Sequence, residues 1–414
     1  MGKSLQAVYV DSGSVEVPIG VGMLKLSEID VRKLEHELYT CAQCGYCVDA
    51  CPIYEEIPWE SATPRGKLYW IKQILTTGIL RENIKGDQNF VERIYQCTLC
   101  GRCHEVCQTS LDTVSIWNAA RAEIFKNGQR PENLEALAEK IEEVKNPYGI
   151  DEDTRLDWAD YTDYDDPPEK EQAEVCYFVG CTTAFKSANH ETAHSNSVIL
   201  DHLEEDWTLL GEDEWCCGAP LQMSGDDEAV KRVALHNLKE LTGRGIKLLI
   251  TGCPSCYRMW KTEIPHLLNM ELPFQVKHFT EYLSEKIENG ALILPKGDDN
   301  VTYHDPCELA RLCDIVEEPR VILKAATTRF QETREHGKDV RCCGGGGMLE
   351  ATNNDLRVSI CKYRLSQVEE TGASILTSSC PSCNNTFIDA QRESDSDVEV
   401  LDIAVYVAQK LGLI

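Results

Sequence analysis

Ten of the 21 cysteines in this 414-residue chain fall into two sets of five with nearly the same internal spacing. The first set is Cys181, the pair Cys216 and Cys217, then Cys253 and Cys256. The second is Cys307, the pair Cys342 and Cys343, then Cys380 and Cys383. Their first three members lie 126 residues apart and their last two 127 apart, so one inserted residue separates the halves. Both halves carry C-C-G and C-P-S-C. A repeat this close in register admits few folds, and it predicts two similar lobes facing each other about a pseudo-two-fold axis.

Each lobe reads as α/β. VCYFVG leads into Cys181, KLLITG into Cys253, VTYHDP into Cys307 and ASILTSS into Cys380, each a short β-rich run bounded by turn residues. The cysteines therefore fall at the carboxyl ends of strands, where open α/β sheets bind ligands. DEAVKRVALHNLKELTGRG and NNDLRVSICKYRLSQVEETG have helical periodicity and end at a glycine stop.

Eight further cysteines precede the repeat. Cys41, Cys44, Cys47 and Cys51 read C-x2-C-x2-C-x3-C-P, and Cys97, Cys100, Cys103 and Cys107 repeat the spacing, with Gln108 where proline is usual. Four thiolates suit a cubane 4Fe-4S cluster, and in the two-cluster pattern the fourth cysteine serves the other cube. That rule assigns one cubane to Cys41, Cys44, Cys47 and Cys107, and the other to Cys97, Cys100, Cys103 and Cys51. Zinc also uses C-x2-C, but it needs only four ligands and gives no reason for the third and fourth cysteines of each motif. The surrounding SEIDVRKLEHELYT, with Ser27 as N-cap, TPRGKLYWIKQIL, DQNFVERIYQ and PENLEALAEKIEEVK, with Pro131 at its first position, all predict helices.

The expected fold class is thus α+β and α/β: a helical two-cluster ferredoxin-type domain over residues 1–145, an acidic segment over 146–173, and lobes over 174–295 and 296–414. The segment Asn146 to Gln172 holds ten Asp or Glu residues and reads as a linker or wrapping loop. A formal charge of -28 repels phosphate backbones, so nucleic acid is excluded as an expected partner. The N-terminal residues lack the apolar core of a secretory signal, and no stretch approaches 18 consecutive apolar residues. A cytoplasmic protein with reduced thiols is expected, peripheral on the membrane only through a partner.

Five thiolates are one too many for a cubane, and adjacent cysteines cannot easily bind separate corners of one. The stretches YFVGCTTAF, CCGAPLQMSGD, GCPSC, HDPCELAR, CCGGGG and SCPSC resemble the duplicated cysteine-rich CCG domains of the heterodisulfide reductase D-type family, fused to a two-cluster ferredoxin domain. Iron-sulfur subunits of membrane sulfur-metabolism complexes, benzoyl-CoA reductase assemblies and glycerol-3-phosphate or glycolate oxidising systems share this layout. The resemblance implies that each complete set binds a non-cubane 4Fe-4S cluster. Cys181, Cys216, Cys217, Cys253 and Cys256 would hold one, and Cys307, Cys342, Cys343, Cys380 and Cys383 the other, with a small disulfide cleaved between them. It also implies a redox partner, either a haem b membrane subunit or a soluble flavoprotein. The alternative expectation is a non-catalytic electron-transfer subunit of a larger complex.

Other motifs carry less. His190, Glu191 and His194 spell H-E-x-x-H, but no third zinc-ligand motif follows, so surface or site-lining histidines are expected. Gly344 to Gly347 lack the Lys-Ser/Thr of a phosphate loop, and neither a flavin nor a nicotinamide site is expected. Cys176 and Cys361 read as buried structural cysteines, while Cys313 has no evident role. Lys186, Arg258, His304 and Arg311 flank the cysteines and are candidates for binding anions or protonating a thiolate, or else belong to a solvated face.

Overall fold

A computed structural model describes residues 35–77 and 88–414. Ser27 and the start of its helix lie outside the described residues, and the helix is seen from Glu35–Thr40. The repeat folds into two four-stranded parallel sheets. In the first, β1 (Val175–Tyr177), β2 (Trp207–Thr208), β3 (Leu248–Thr251) and β4 (Gln275–His278) are ordered β2-β1-β3-β4. In the second, β5 (Gly297–His304), β6 (Thr327–Gln331), β7 (Ile375–Ser378) and β8 (Glu399–Asp402) are ordered β6-β5-β7-β8, the same arrangement.

The central strands β1, β3, β5 and β7 are the four apolar runs read from sequence, and each ends just before a cysteine-bearing turn. Their apolar residues do not alternate with polar ones because helices cover both faces of a parallel sheet. β2, β4, β6 and β8 escaped the sequence reading. They are edge strands, and β2 has two residues while TTRFQ and EVLD expose charged or polar side chains. The chain steps from β1 to one side and from β3 to the other, so the crevice between their carboxyl ends is the switch point of the sheet.

The lobes pack through reciprocal contacts. The helix after β1, His190–His202, meets Ile403–Leu411 after β8, and Phe279–Glu288 after β4 meets Glu317–Ala326 of the second lobe. Each contact therefore joins equivalent elements with the lobes exchanged, as a pseudo-two-fold axis requires. Ile199, Leu200, Leu283, Ile322, Leu323 and Val407 form one core across this seam and are all fully buried. At about 1.5–3 kcal/mol per buried aliphatic side chain, that seam is a shared core rather than a domain boundary.

The N-terminal region is helical over Pro64–Thr77, Gln88–Tyr95, Thr113–Lys126 and Glu132–Val144. Pro131 is the N-cap of the last helix, one position earlier than its sequence suggests. The acidic segment then folds back on the first lobe. Asn146 ties its entry, accepting from the N–H groups of Tyr148 and Gly149 and donating to the Ile150 carbonyl. The short helix Asp157–Tyr161 buries Trp158 completely, so this stretch wraps the lobe despite its charge. Among the described residues no helix is long and apolar enough to cross a membrane.

Candidate metal centres

Cys181 follows β1 directly, and Gly180 before it has φ +80. A Cβ on Gly180 would stand 3.1 Å from Cys256 Sγ, so the glycine leaves room for sulfur. The C-C-G turns match in both lobes. Gly218 N–H points at Cys216 Sγ (3.4 Å) and Gly344 N–H at Cys342 Sγ (3.3 Å), and both glycines hold positive φ. The C-P-S-C cysteines begin helices, with proline at the first turn, so their sulfurs meet backbone N–H groups, as in Cys383 N–H to Cys380 Sγ at 3.4 Å.

Nine of these ten cysteines line one cavity of about 480 Å³ between the lobes; Cys342 sits behind it. Cys343 Sγ and Cys383 Sγ are 3.3 Å apart with no disulfide, and all ten thiols are buried. Buried thiols in mutual contact hold their protons unless a cation takes them. The thiols of Cys256, Cys307 and Cys383 are all pushed well above the ordinary range, first by hydrogen bonding to a neighbouring thiol and then by burial. Clustered sulfurs of this kind suit a metal group that deprotonates its ligands outright.

Each lobe supplies its own positive charge. In the first, Arg155 comes from the acidic segment, is 1% exposed, and reaches toward Cys181 Sγ at 3.7 Å. Its partner Glu214 (2.8 Å) accepts from the N–H groups of Val179 and Gly180 and so fixes the turn that presents Cys181. In the second, Arg311 donates to the carbonyls of Cys100, Lys338 and Val340. That links the second lobe to the N-terminal region. Cys100, Cys307 and Cys342 pack as one buried group, and contact with Cys342 is the largest cause holding the Cys100 thiol well above its usual range.

The first eight cysteines gather around two hollows. Cys41, Cys44, Cys47 and Cys107 line one, together with Cys103; Cys51, Cys97, Cys100 and Cys103 line the other. Burial pushes the Cys47 thiol up to about 11 and the Cys51 thiol up to about 12, so these hollows also favour protonated sulfur unless metal is bound. Arg121, fully buried, donates to the carbonyls of Ile94, Cys97, Met223 and Gly347, and thereby clamps the N-terminal region to both lobes.

The glycine run has a packing purpose. A Cβ on Gly346 would lie 2.5 Å from the Thr98 carbonyl, and one on Gly347 2.0 Å from that of Cys97, so the second cysteine loop docks against bare backbone. Lys186 lines the cavity, paired with Glu350 at 3.3 Å and lying 4.8 Å over the Tyr148 ring. Arg258 and Arg311 are not on a solvated face: both are buried, and Arg258 is held by Glu308, Glu263 and Gln222. His304 is buried beside Cys343 and Cys383. His190 stacks on Tyr161 and His194 packs on Tyr164, with Glu191 their only neighbouring acid in the motif, so H-E-x-x-H here lies against the wrapping segment. Cys176 and Cys361 are fully buried in β1 and in the helix Asn354–Glu369, while Cys313 is partly exposed.

Sequence reasoning missed Arg155, Glu214 and Arg121. None has a spacing signature, because each acts through a fold-back or a long-range contact.

The family of 4Fe-4S dicluster domains matches residues 40–112, and the cysteine-rich domain family matches twice, over 175–261 and 301–388. The chain is 34% identical to the D-type subunit of the dihydromethanophenazine:CoB–CoM heterodisulfide reductase of Methanosarcina acetivorans, covering 94% of this chain and 98% of that protein. It is 33% identical to the protein of the same name from Methanosarcina barkeri, over 91% and 95%. An EtfAB:quinone oxidoreductase of Syntrophomonas wolfei is 23% identical over 89% of this chain and 57% of its own length. With dicluster and doubled cysteine-rich domains in one chain, and that identity end to end, this protein is an iron-sulfur oxidoreductase subunit that belongs to the heterodisulfide reductase D-type family.

Proposed function

We propose that the chain reduces a small disulfide between two five-cysteine sites, with electrons arriving through two cubane sites in its N-terminal region. The observation that carries this is the single cavity lined by nine cysteines from both lobes. Splitting a disulfide consumes two electrons and two protons and yields two thiols. A site with matched sulfur sets on opposite walls suits that symmetry, one wall for each sulfur. Bound iron-sulfur clusters would supply the one-electron steps.

The residues divide the work. Cys41, Cys44, Cys47 and Cys107 would hold one cubane and Cys51, Cys97, Cys100 and Cys103 the other, a grouping supported by the lining of the two hollows. Cys181, Cys216, Cys217, Cys253 and Cys256 would hold the first non-cubane group. Cys307, Cys342, Cys343, Cys380 and Cys383 would hold the second. Cys100 against Cys342 gives the shortest route from the cubane region to the cavity. Lys186 lines the cavity with its ammonium partly exposed, where it can meet an anionic group on the substrate. The names of the relatives support a place in a larger redox assembly, with a haem b membrane subunit or a soluble flavoprotein as electron donor.

A relay that touches no disulfide is the competing reading, favoured by the likeness to the EtfAB:quinone oxidoreductase. Both readings require about 16 irons per chain, from four clusters of four. Oxidising the anaerobic protein and adding thiols one at a time separates them. Disulfide reduction predicts a thiol-specific paramagnetic signal that is lost in Cys216→Ser or Cys342→Ser. Silence with every thiol supports the relay, and about eight irons removes both.

A further inference from the structure

The five-cysteine sites match in sulfur and differ in one neighbour. Three residues before its leading cysteine the first lobe has Phe178, packed edge-on against Trp260 with ring centres 5.9 Å apart. The second lobe has His304 at that position. The imidazole is 1% exposed and packs against the Phe387 ring at 5.0 Å. One of its nitrogens lies within 4.8 Å of both Cys343 Sγ and Cys383 Sγ.

The hydrogen bonds determine which nitrogen carries the proton. Arg364 Nε lies 3.2 Å from His304 Nδ1, and a guanidinium can only donate. Nδ1 is therefore an acceptor, and an imidazolium would set one N–H against another. The guanidinium cannot turn away, since Gln367, Thr333 and the Glu335 carbonyl hold it. The neutral ring thus bears its hydrogen on Nε2. Nε2 is buried and has no partner among the described residues. A buried donor without an acceptor costs about 1–3 kcal/mol, so an unfilled site leaves this group unsatisfied.

We propose that His304 donates its Nε2–H to sulfur of the metal group held by the second five-cysteine set, and thereby makes that group easier to reduce than its counterpart in the first lobe. This rests on the reading that both sets hold clusters. The positive end of the N–H dipole stabilises the extra electron of the reduced state, and hydrogen bonds to sulfur are among the determinants of cluster potential. Phe178 offers the first lobe no such donor. The two walls of the cavity then differ in electron affinity although their ligands are the same.

The test uses the full chain loaded anaerobically with iron and sulfide. Histidine labelled with ¹⁵N should show hyperfine coupling to one reduced cluster. In His304→Phe, which copies the residue of the first lobe, that coupling should vanish and one of the two non-cubane midpoint potentials should fall while about 16 irons are retained. His304→Gln, which keeps an N–H donor, should recover part of the shift. Unchanged potentials at full iron content, or no coupling in the parent protein, would overturn the role of His304. About eight irons in the parent would instead overturn the cluster reading beneath it. If the phenylalanine variant does not fold, the labelled parent and the glutamine variant decide the matter.

Discussion

The two lobes share a sheet order and a sulfur pattern and differ in what surrounds the sulfur. Cys181 has a guanidinium borrowed from the acidic segment, Arg155, and a buried acid, Glu214, that shapes its turn. Cys307 and Cys342 have Arg311 and the docked N-terminal region, with Cys100 in contact. Duplication preserved the backbone that positions five thiols, because strand ends and glycine turns leave it little freedom. The flanking residues were free to diverge, and they connected only the second lobe to the cubane region through sulfur contact.

The largest blow to this comparison should come from Arg155→Met. It leaves Glu214 buried without its cation, which should cost the first lobe about 3–5 kcal/mol, read from denaturant midpoints. An effect below about 1 kcal/mol would mean that the first lobe does not depend on its borrowed charge.

Next come opposite pH responses from equivalent positions. His278 and Asp402 end β4 and β8 and cap the last helix of their lobes, accepting from Thr280 N–H and Ala404 N–H. Burial holds His278 down at about 3, so the native state binds fewer protons than the unfolded state between there and about 6.5; its contribution is present above that window and lost as pH falls through it. Burial raises Asp402 to about 7, so the native state binds more protons above about 4; stability is lost as pH rises toward 7. Each response could reach about 4 kcal/mol, and His278→Asn and Asp402→Asn should each flatten one limb of the stability–pH curve. Curves that superimpose on the parent would remove the contrast.

A smaller effect is expected from Arg311→Met, which frees the carbonyls of Cys100, Lys338 and Val340. It should destabilise by about 1–3 kcal/mol and slow reduction through the second lobe, measured by rapid mixing with a reductant. The smallest is Arg102→Gln. Its ion pair with Glu335 also bridges to the second lobe but is partly exposed, so about 1 kcal/mol or less should be lost, and less still at high salt.

The central strands were legible because each combines β-rich residues with a turn and a cysteine, whereas the edge strands carry too few apolar residues to stand out. The grouping of thiols could be read from spacing, since short loops bring C-x2-C together wherever they sit. The charges around them could not. Arg155 lies in a stretch whose composition suggests a solvated tether, and nothing local tells that Trp158 is buried and pulls it inward. The meeting of Cys100 with Cys342 joins positions 242 residues apart, and no periodicity reports such a contact. Arg258 and Arg311 looked like possible substrate-binding cations because sequence cannot distinguish a cleft from a seam.

The docking of Gly346 and Gly347 onto the backbone of Cys97 and Thr98 also bears on biosynthesis. A ribosome adding about 5–20 residues per second makes the N-terminal loop long before the glycines that cover it, by roughly 12–50 s. During that interval the emerging domain is complete in its cysteines but lacks its cover. The electron route through Cys100 is therefore the last part of the molecule to close, and it closes from the C-terminal side.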